Sequence, residues 1–224
     1  MAALPGEPAT LYWSQAESQG LVLGFSQKES ILNQAALNIQ PIPLYHRRAG
    51  GTAVLVGPEL LSLDVILPAG HPLILADIVE SYRWFGDVWV KTLRSLGVET
   101  RLVSPQEAHA QRTLLKQEAT RNREAILSRA CFGSLSSFEV IANERKVVGL
   151  DMIRRRKGSL LQAGVLLKWN PELLVELLGH SPEEQAILRE RLPERAAGLD
   201  ILAGRTISAM EVIPAFGEAL STMD

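Results

Sequence analysis

Apolar and polar residues alternate in several short runs of this chain, and a period of two marks strands that bury one face of a sheet. Thr10 to Trp13 and Gly20 to Phe25 are two such runs. The polar stretch Ser14 to Gln19 between them makes them a hairpin or two neighbouring strands. Leu60 to Leu67 is rich in Leu, Val and Ile and reads as a buried strand, stopped by Pro68, Ala69 and Gly70. Ala53 to Val56 is a shorter strand fed by a tight glycine loop, and Val98 to Val103 is another. Farther on, Phe138 to Ala142 and Lys146 to Arg154 flank the turn residues Asn143 and Glu144 as a hairpin, followed by a strand over Ser159 to Trp169.

Elsewhere the period lengthens to three or four. Apolar residues at Ile74, Ile78, Phe85, Val88, Trp89, Leu93 and Leu96 predict one face of a long helix from Ile74 to Leu96, closed by Gly97. Ser26 with Glu29, Ser104 with Glu107, Ser181 with Glu184 and Ser208 with Glu211 have capping-box spacing, so a helix is expected after each. The first of these would carry Ile31, Ala35 and Asn38. Pro105 to Arg129 has only a thin apolar stripe and reads as exposed helix or mobile loop. Beyond Asn170 the pattern is helical, over Pro171 to Leu178, Pro182 to about Leu199, and Ala209 to Leu220. Strands and helices mix without a β-α-β alternation, which predicts an α+β fold rather than a doubly wound parallel sheet.

Composition narrows the function classes. The 224 residues carry 23 Lys+Arg against 25 Asp+Glu, so nothing pulls the chain as a whole toward nucleic acid or an anionic membrane. The opening MAALPGEPAT has no basic region ahead of an apolar core, and no run approaches the roughly 18 apolar residues of a membrane span. One cysteine cannot form an internal disulfide, and with four histidines it is too little for a structural zinc site, so no metal is expected. A cytoplasmic setting is the expectation.

Three segments could carry chemistry. In Arg47-Arg48-Ala49-Gly50-Gly51-Thr52-Ala53 the glycines let backbone N–H groups approach an anion and the arginines can pair with carboxylate or phosphate. The same residues also make an ordinary turn with solvated arginines. Lys146-Val147-Val148-Gly149 puts a lysine into an apolar strand, where it is an edge-strand charge or an ammonium aimed at a partner. Cys131 is by default a small buried hydrophobe, yet its glycine- and serine-rich surroundings with basic residues nearby suit a thiolate. The basic run Arg154 to Lys157 is a solvated turn or a surface for an acidic partner.

Read in order, these segments resemble the lipoate-protein ligase and octanoyltransferase family, part of the biotin/lipoate protein ligase catalytic-domain superfamily. Thr10 to Trp13 followed by Leu21 to Gln27 is similar to its opening strands and Gly-x-x-Gln turn. Arg47 to Val54 looks like its Arg-Arg-x-x-Gly-Gly loop. Cys131-Phe132, Ser137 to Val140, Lys146 to Gly149 and Leu161-Gln162-x-Gly164 are similar to successive blocks, and Glu194 to Leu199 with Gly204 to Ser208 to its helical end. Many members carry histidine where this chain has Val56 and Ala163, and Ser-Ala-Gln where it has Leu150-Asp151-Met152.

The resemblance implies a mixed β-sheet flanked by helices, with a catalytic acyl-transfer domain over residues 1–170 and a small helical C-terminal segment over 171–224 packed on it. It implies transfer of an octanoyl or lipoyl group to one lysine of a lipoyl domain, with Cys131 as the thioester-forming nucleophile and Lys146 holding the acyl oxygen. Arg47, Arg48, Gly50, Gly51, Thr52, Ala53, Gly149, Gln162 and Gly164 would bind the substrate. The donor would be an acyl carrier protein or another lipoyl protein, and this branch needs no cofactor. The ligase branch would instead use ATP and Mg²⁺ to make an acyl-adenylate, leaving Cys131 structural. A third reading is a non-catalytic binder of acyl-carrier or lipoyl-domain proteins, docking through Arg154 to Lys157.

Overall fold

The computed structural model describes residues 8–223. The first residues read for a leader, 1–7, lie outside the described residues. Six strands form the larger sheet in the order β1 (Thr10–Gln15), β5 (Leu60–Pro68), β9 (Gly158–Leu166), β8 (Arg145–Arg155), β7 (Val140–Ala142), β6 (Arg101–Leu102). Its neighbours all pair antiparallel. A second sheet has β2 (Gly20–Leu23) in the centre, parallel to β3 (Leu44–His46) and antiparallel to β4 (Val54–Val56). Strand and helix are thus mixed as expected; parallel pairing occurs in the small sheet and in the isolated bridges Ala53–Ala130 and Lys146–Ala196.

The first two strands form neither a hairpin nor a neighbouring pair, the two arrangements expected of them. β1 takes the edge of the large sheet beside β5, while β2 leaves for the other sheet. Alternation along β5 aims Leu61, Leu63, Val65 and Leu67 into the main core. There α2 (Arg83–Ser95) and α8 (Ala209–Ser221) cover one face of the sheet through Phe85, Trp89 and Phe216, joined by Trp13 of β1 in edge-on ring contacts. The other core lies behind the small sheet, where Leu21 and Leu23 meet α4 (Glu118–Leu127), α5 (Glu172–Leu178) and α6 (Pro182–Arg195).

Several predicted elements change length. The Ile74 to Leu96 helix begins only at Arg83, because local hydrogen bonds from side chains satisfy the earlier backbone instead. Asp77 accepts from the N–H groups of Val79 and Glu80, Ser81 bonds both the N–H and the carbonyl of Leu75, and Arg154 donates to the carbonyls of Leu75 and Ala76. Ser26 caps nothing: α1 (Gln34–Ile39) starts at Asn33, whose side chain accepts from Ala35 and Ala36. The Val98 to Val103 strand shrinks to β6. The stretch Pro105 to Arg129 is ordered as α3 (Pro105–Leu114) and α4, with Ala108, Ile126 and Leu127 buried. The helix from Pro182 ends at Arg195, and α7 (Leu199–Ala203) is separate. The Asn143-Glu144 hairpin forms, both residues having positive φ as a two-residue turn requires.

Arg129, just before the cysteine loop, is clamped to α6. Its guanidinium donates to both carboxylate oxygens of Glu184 and to the Leu178 carbonyl. Those hydrogen bonds hold the Glu184 carboxyl down to about 2 from its ordinary 4.5. A folded pKa below the unfolded one gives stability that is full above pH 4.5 and lost as pH falls toward 2. We predict that Glu184→Gln lowers stability at pH 7 by about 1 kcal/mol, solvent screening taking the rest, and that the difference closes with acidification over that window. Urea titrations of both proteins from pH 7 to 2.5 would check this; a pH-independent difference would refute the assignment.

Candidate active site

Strand register lays down the floor of a cavity. Asp64 of β5 stands opposite Gln162 of β9, which stands opposite Asp151 of β8; in the next row Ser62, Gly164 and Gly149 are aligned. Residues two apart on a strand share a face, so both rows look the same way, toward the small sheet. The two glycines leave a trough, and all six residues line a cavity of about 310 Å³. Val22, Val54, Val56, Leu60 and Phe132 make its apolar wall, while Arg47, Asp64, Tyr82, Asp151 and Gln162 supply polar groups.

A register shift brings Lys146 into this cavity. Ile141 pairs with Lys146 but Val140 pairs with Val148, so Val147 is an extra residue on β8. Such a bulge re-aims neighbouring side chains, and Lys146 reaches the cavity together with Gly149. A Cβ on Gly149 would lie 3.2 Å from Lys146 Cε, so glycine keeps the lysine's path open. Lys146 is 2% exposed. Its ammonium meets Glu139 Oε1 at 2.6 Å and donates to the carbonyls of Cys131 (2.9 Å) and Ser134 (3.2 Å), with the Phe132 ring beneath it. All three N–H groups of the ammonium are therefore engaged. Holding an acyl oxygen, the role implied by the resemblance, requires one of these acceptors to be exchanged.

The backbone ahead of Glu139 is held in an uncommon shape. Phe138 has φ 65°, a conformation costing a non-glycine residue about 1–2 kcal/mol. Its N–H bonds Val103 O and the Val103 N–H bonds Glu139 O, both at 2.8 Å, while its ring packs on Tyr82. Glu139 is thereby turned inward, accepting also from the N–H groups of Ser136 and Leu150.

Cys131 opens a short helical turn and is half-buried. Its N–H donates to Ala53 O at 2.7 Å, and Ala53 N–H to Arg129 O at 3.0 Å, so the arginine-glycine loop and the cysteine loop are stitched together. Gln27 adds a third tie. Its side chain accepts from Gly24 N–H and donates to Arg129 O, which explains the Gly-x-x-Gln spacing. Arg47 then spans the cavity mouth: Nη2 donates to Thr52 O at 2.9 Å and lies 3.8 Å from Cys131 Sγ, and Nη1 lies 3.9 Å from Asp151 Oδ2. Gly51 has φ 81°, and a Cβ there would sit 2.3 Å from Arg47 Nη2. Glycine at this position makes room for the guanidinium.

Burial pushes the Glu139 carboxyl up, opposed by the Lys146 charge and its hydrogen bond. Asp151 is likewise pushed up by burial and pulled back by Arg47. Tyr82 rises through burial, with Glu139 and Asp151 adding to the effect.

Of the residues singled out from sequence, Arg47, Gly51, Thr52, Cys131, Lys146, Gly149, Gln162 and Gly164 meet at this cavity. Arg48 and Gly50 are exposed and do not line it, though a Cβ on Gly50 would lie 4.0 Å from Asp151 Oδ1. Ala53 is buried behind the wall. Val56 and Ala163, where related chains often have histidine, both line the cavity. Ser62, Asp64 and Tyr82 were missed. Ser62 and Asp64 were visible as polar residues at alternate positions of an otherwise apolar strand; Tyr82 had no such signal. Among the described residues no three His, Cys, Asp or Glu side chains group to hold a metal ion, and no helix is long and apolar enough to cross a membrane.

Fold and cleft together place the chain among enzymes with the lipoate-protein ligase architecture. The chain belongs to the lipoyl protein ligase A/B catalytic-domain family, whose model matches residues 2–221. It is 31% identical over 217 residues to the octanoyltransferase LipM of Kyrpidia tusciae, covering 96% of this chain and 75% of that one. With the octanoyltransferase LipM of an Exiguobacterium species it shares 29% identity over 210 residues, 94% of this chain and 72% of the other. Among solved structures, the bipartite lipoate protein ligase of Thermoplasma acidophilum superposes with a TM-score of 0.74 at 18% identity, covering 98% of this chain and 72% of that one. A lipoate-protein ligase A bound with ATP gives 0.69 at 19% identity, covering 98% and 74%. At such identity these two speak for the fold alone.

Two outcomes are expected. Glu139→Gln strands the Lys146 ammonium in a sealed site, and urea unfolding should show a loss of about 3–5 kcal/mol; a loss under 1 kcal/mol would mean the pair is not buried as described. Gly51→Ala should cost about 1–2 kcal/mol, read as a lower urea midpoint, because the backbone there has φ 81° and a Cβ would meet the Arg47 guanidinium. An unchanged midpoint would mean that the loop relaxes without glycine.

Proposed function

We propose that this chain is an octanoyltransferase, moving a medium-length acyl group onto the target lysine of a lipoyl domain through a thioester on Cys131. The observation that carries the reading is the cysteine itself, at the wall of an amphipathic cavity and 3.8 Å from the Arg47 guanidinium. The LipM relatives support it, being named octanoyltransferases. An octanoyl chain lies along Val22, Val54, Val56, Leu60 and Phe132, with its carbonyl at Cys131.

The Cys131 thiolate attacks the donor thioester carbonyl; the carbon–sulfur bond to the carrier breaks, and the carrier thiolate departs and takes up a proton. Arg47 and Lys146 supply positive potential where the thiolate and the tetrahedral oxyanion carry charge. The acceptor lysine amine then attacks the Cys131 thioester and frees the thiol. Binding at this site would come from Arg47, Gly51, Thr52, Gly149, Gln162 and Gly164, with Gly50 and Ala53 shaping the loop and Arg48 outside it. The donor is an acyl carrier protein or another lipoyl protein, and the reaction runs in the cytoplasm without a cofactor. Residues 1–170 hold the reacting groups, and the helices of 171–224 back the cysteine loop.

ATP-driven ligation fits these residues less well. Both cations of the cavity stand beside Cys131, and among the described residues no other lysine or arginine lines it to meet a triphosphate.

Intact-mass spectrometry after incubation with octanoyl carrier protein and an apo lipoyl domain, with no ATP, tests the reading. We expect an octanoyl adduct on the enzyme and then on the domain, both lost in Cys131→Ser. Product that needs ATP and survives Cys131→Ser would replace transfer by ligation, and a stable complex without any adduct would favour a non-catalytic binder.

A further inference from the structure

The transfer half-reaction has a proton problem that the residues above leave unsolved. A lysine reaches the thioester as an ammonium at neutral pH and must lose a proton before it can attack. Lys146 and Arg47 are cations and cannot take it. Glu139 is 2% exposed, spends its oxygens on Lys146 and on the N–H groups of Ser136 and Leu150, and is sealed beneath the cysteine loop. Asp64 accepts from Gln162 at 2.8 Å on the strand floor.

Asp151 differs from both. It stands on β8 at the cavity, beneath the Gly50-Gly51 loop, with its side chain 22% exposed. Its Oδ1 accepts from the Met152 N–H, while Oδ2 has no hydrogen-bond partner although it is shielded from solvent. Arg47, 3.9 Å from this Oδ2 and 3.8 Å from Cys131 Sγ, ties the carboxylate and the nucleophile to opposite ends of one guanidinium. The other charged or titratable groups lining the space are Lys146 on the same strand, Glu139 below it, Tyr82 ahead of α2 and Asp64 on β5.

We infer that Asp151 receives the acceptor ammonium at the cavity mouth and takes its proton, making it a further catalytic residue of the transfer half-reaction. This rests on the thioester reading above. The ammonium gives one proton to the Asp151 carboxylate, and the neutral amine nitrogen attacks the thioester carbon. The carbonyl π electrons move to oxygen; they return as the carbon–sulfur bond breaks, and the leaving Cys131 sulfur takes the second nitrogen proton. The products are an amide, a thiol and a carboxylic acid that loses its proton to water. Burial pushes this carboxyl up, against the pull of Arg47. Only the carboxylate accepts a proton, so activity falls as pH drops and the group protonates.

The test separates the two half-reactions in Asp151→Asn. The variant is loaded with octanoyl from the carrier, and its adduct is chased with apo lipoyl domain or with hydroxylamine, a nucleophile uncharged at neutral pH. We expect the adduct to accumulate, transfer to the domain lysine to slow by about 10²-fold, and cleavage by hydroxylamine to stay close to that of the unmodified enzyme. The variant's transfer rate should also keep climbing with pH as the amine itself deprotonates, where the unmodified enzyme levels off earlier. Transfer at an unchanged rate and pH profile would overturn the inference, as would equal slowing with hydroxylamine, which would mean a damaged or blocked site. If the unmodified enzyme forms no adduct, the thioester reading fails and carries this inference with it, an outcome distinct from an adduct that Asp151→Asn passes on normally.

Discussion

A lysine ammonium cannot be sealed from water unless its three N–H groups all find acceptors, and the chain around Lys146 is shaped to provide them. One acceptor is a carboxylate and two are backbone carbonyls of the cysteine loop. A buried ion pair contributes little net stability against an apolar substitute, so its value here is geometric. It fixes where residues 131–139 run, and the uncommon backbone at Phe138 follows from the need to turn Glu139 inward. The bulge at Val147 answers the same requirement from the opposite strand.

Around that pair the cavity is close to charge-balanced. Arg47 and Asp151 repeat at the mouth the pairing that Lys146 and Glu139 make within. The inner pair is close and hydrogen-bonded, while the outer one is loosely joined at 3.9 Å and leaves Asp151 Oδ2 without a hydrogen bond. The outer pair is therefore the readier of the two to exchange partners with an incoming group. Val56 and Ala163 line the cavity without a titratable ring, and the strand register sets Asp151 opposite Gln162 on its floor.

Much of this could be read along the chain. The period-two runs of β5 and β9 and the Asn143-Glu144 turn carry their own instructions locally, and the cysteine, lysine and glycine blocks are recognisable by their order. What failed was decided at long range. The partner of β1 is β5 rather than β2, a choice made by the core that Trp13 joins and invisible in the polar turn between β1 and β2. Ile74 and Ile78 have helical spacing, yet Asp77, Ser81 and a distant Arg154 satisfy that backbone in another shape. Arg47 and Arg48 are adjacent and chemically alike, and only the packing of the Gly51 loop sends one into the cavity and the other to solvent. Asp151 stood out in sequence as an unusual residue, but its free oxygen is a fact of three-dimensional placement.

The stitching of Cys131 to Ala53, of Gln27 to Arg129 and of Arg129 to α6 also bears on how the molecule comes into being. These ties join segments far apart in sequence, and closing such loops before their contacts reward the chain is slow. The hairpin of β8 and β9 needs only neighbouring residues and can form early, whereas the surroundings of the thiol wait for β2, the arginine-glycine loop and the C-terminal helices to arrive. On a ribosome, Cys131 therefore acquires these surroundings only after the helices through Arg195 have been made.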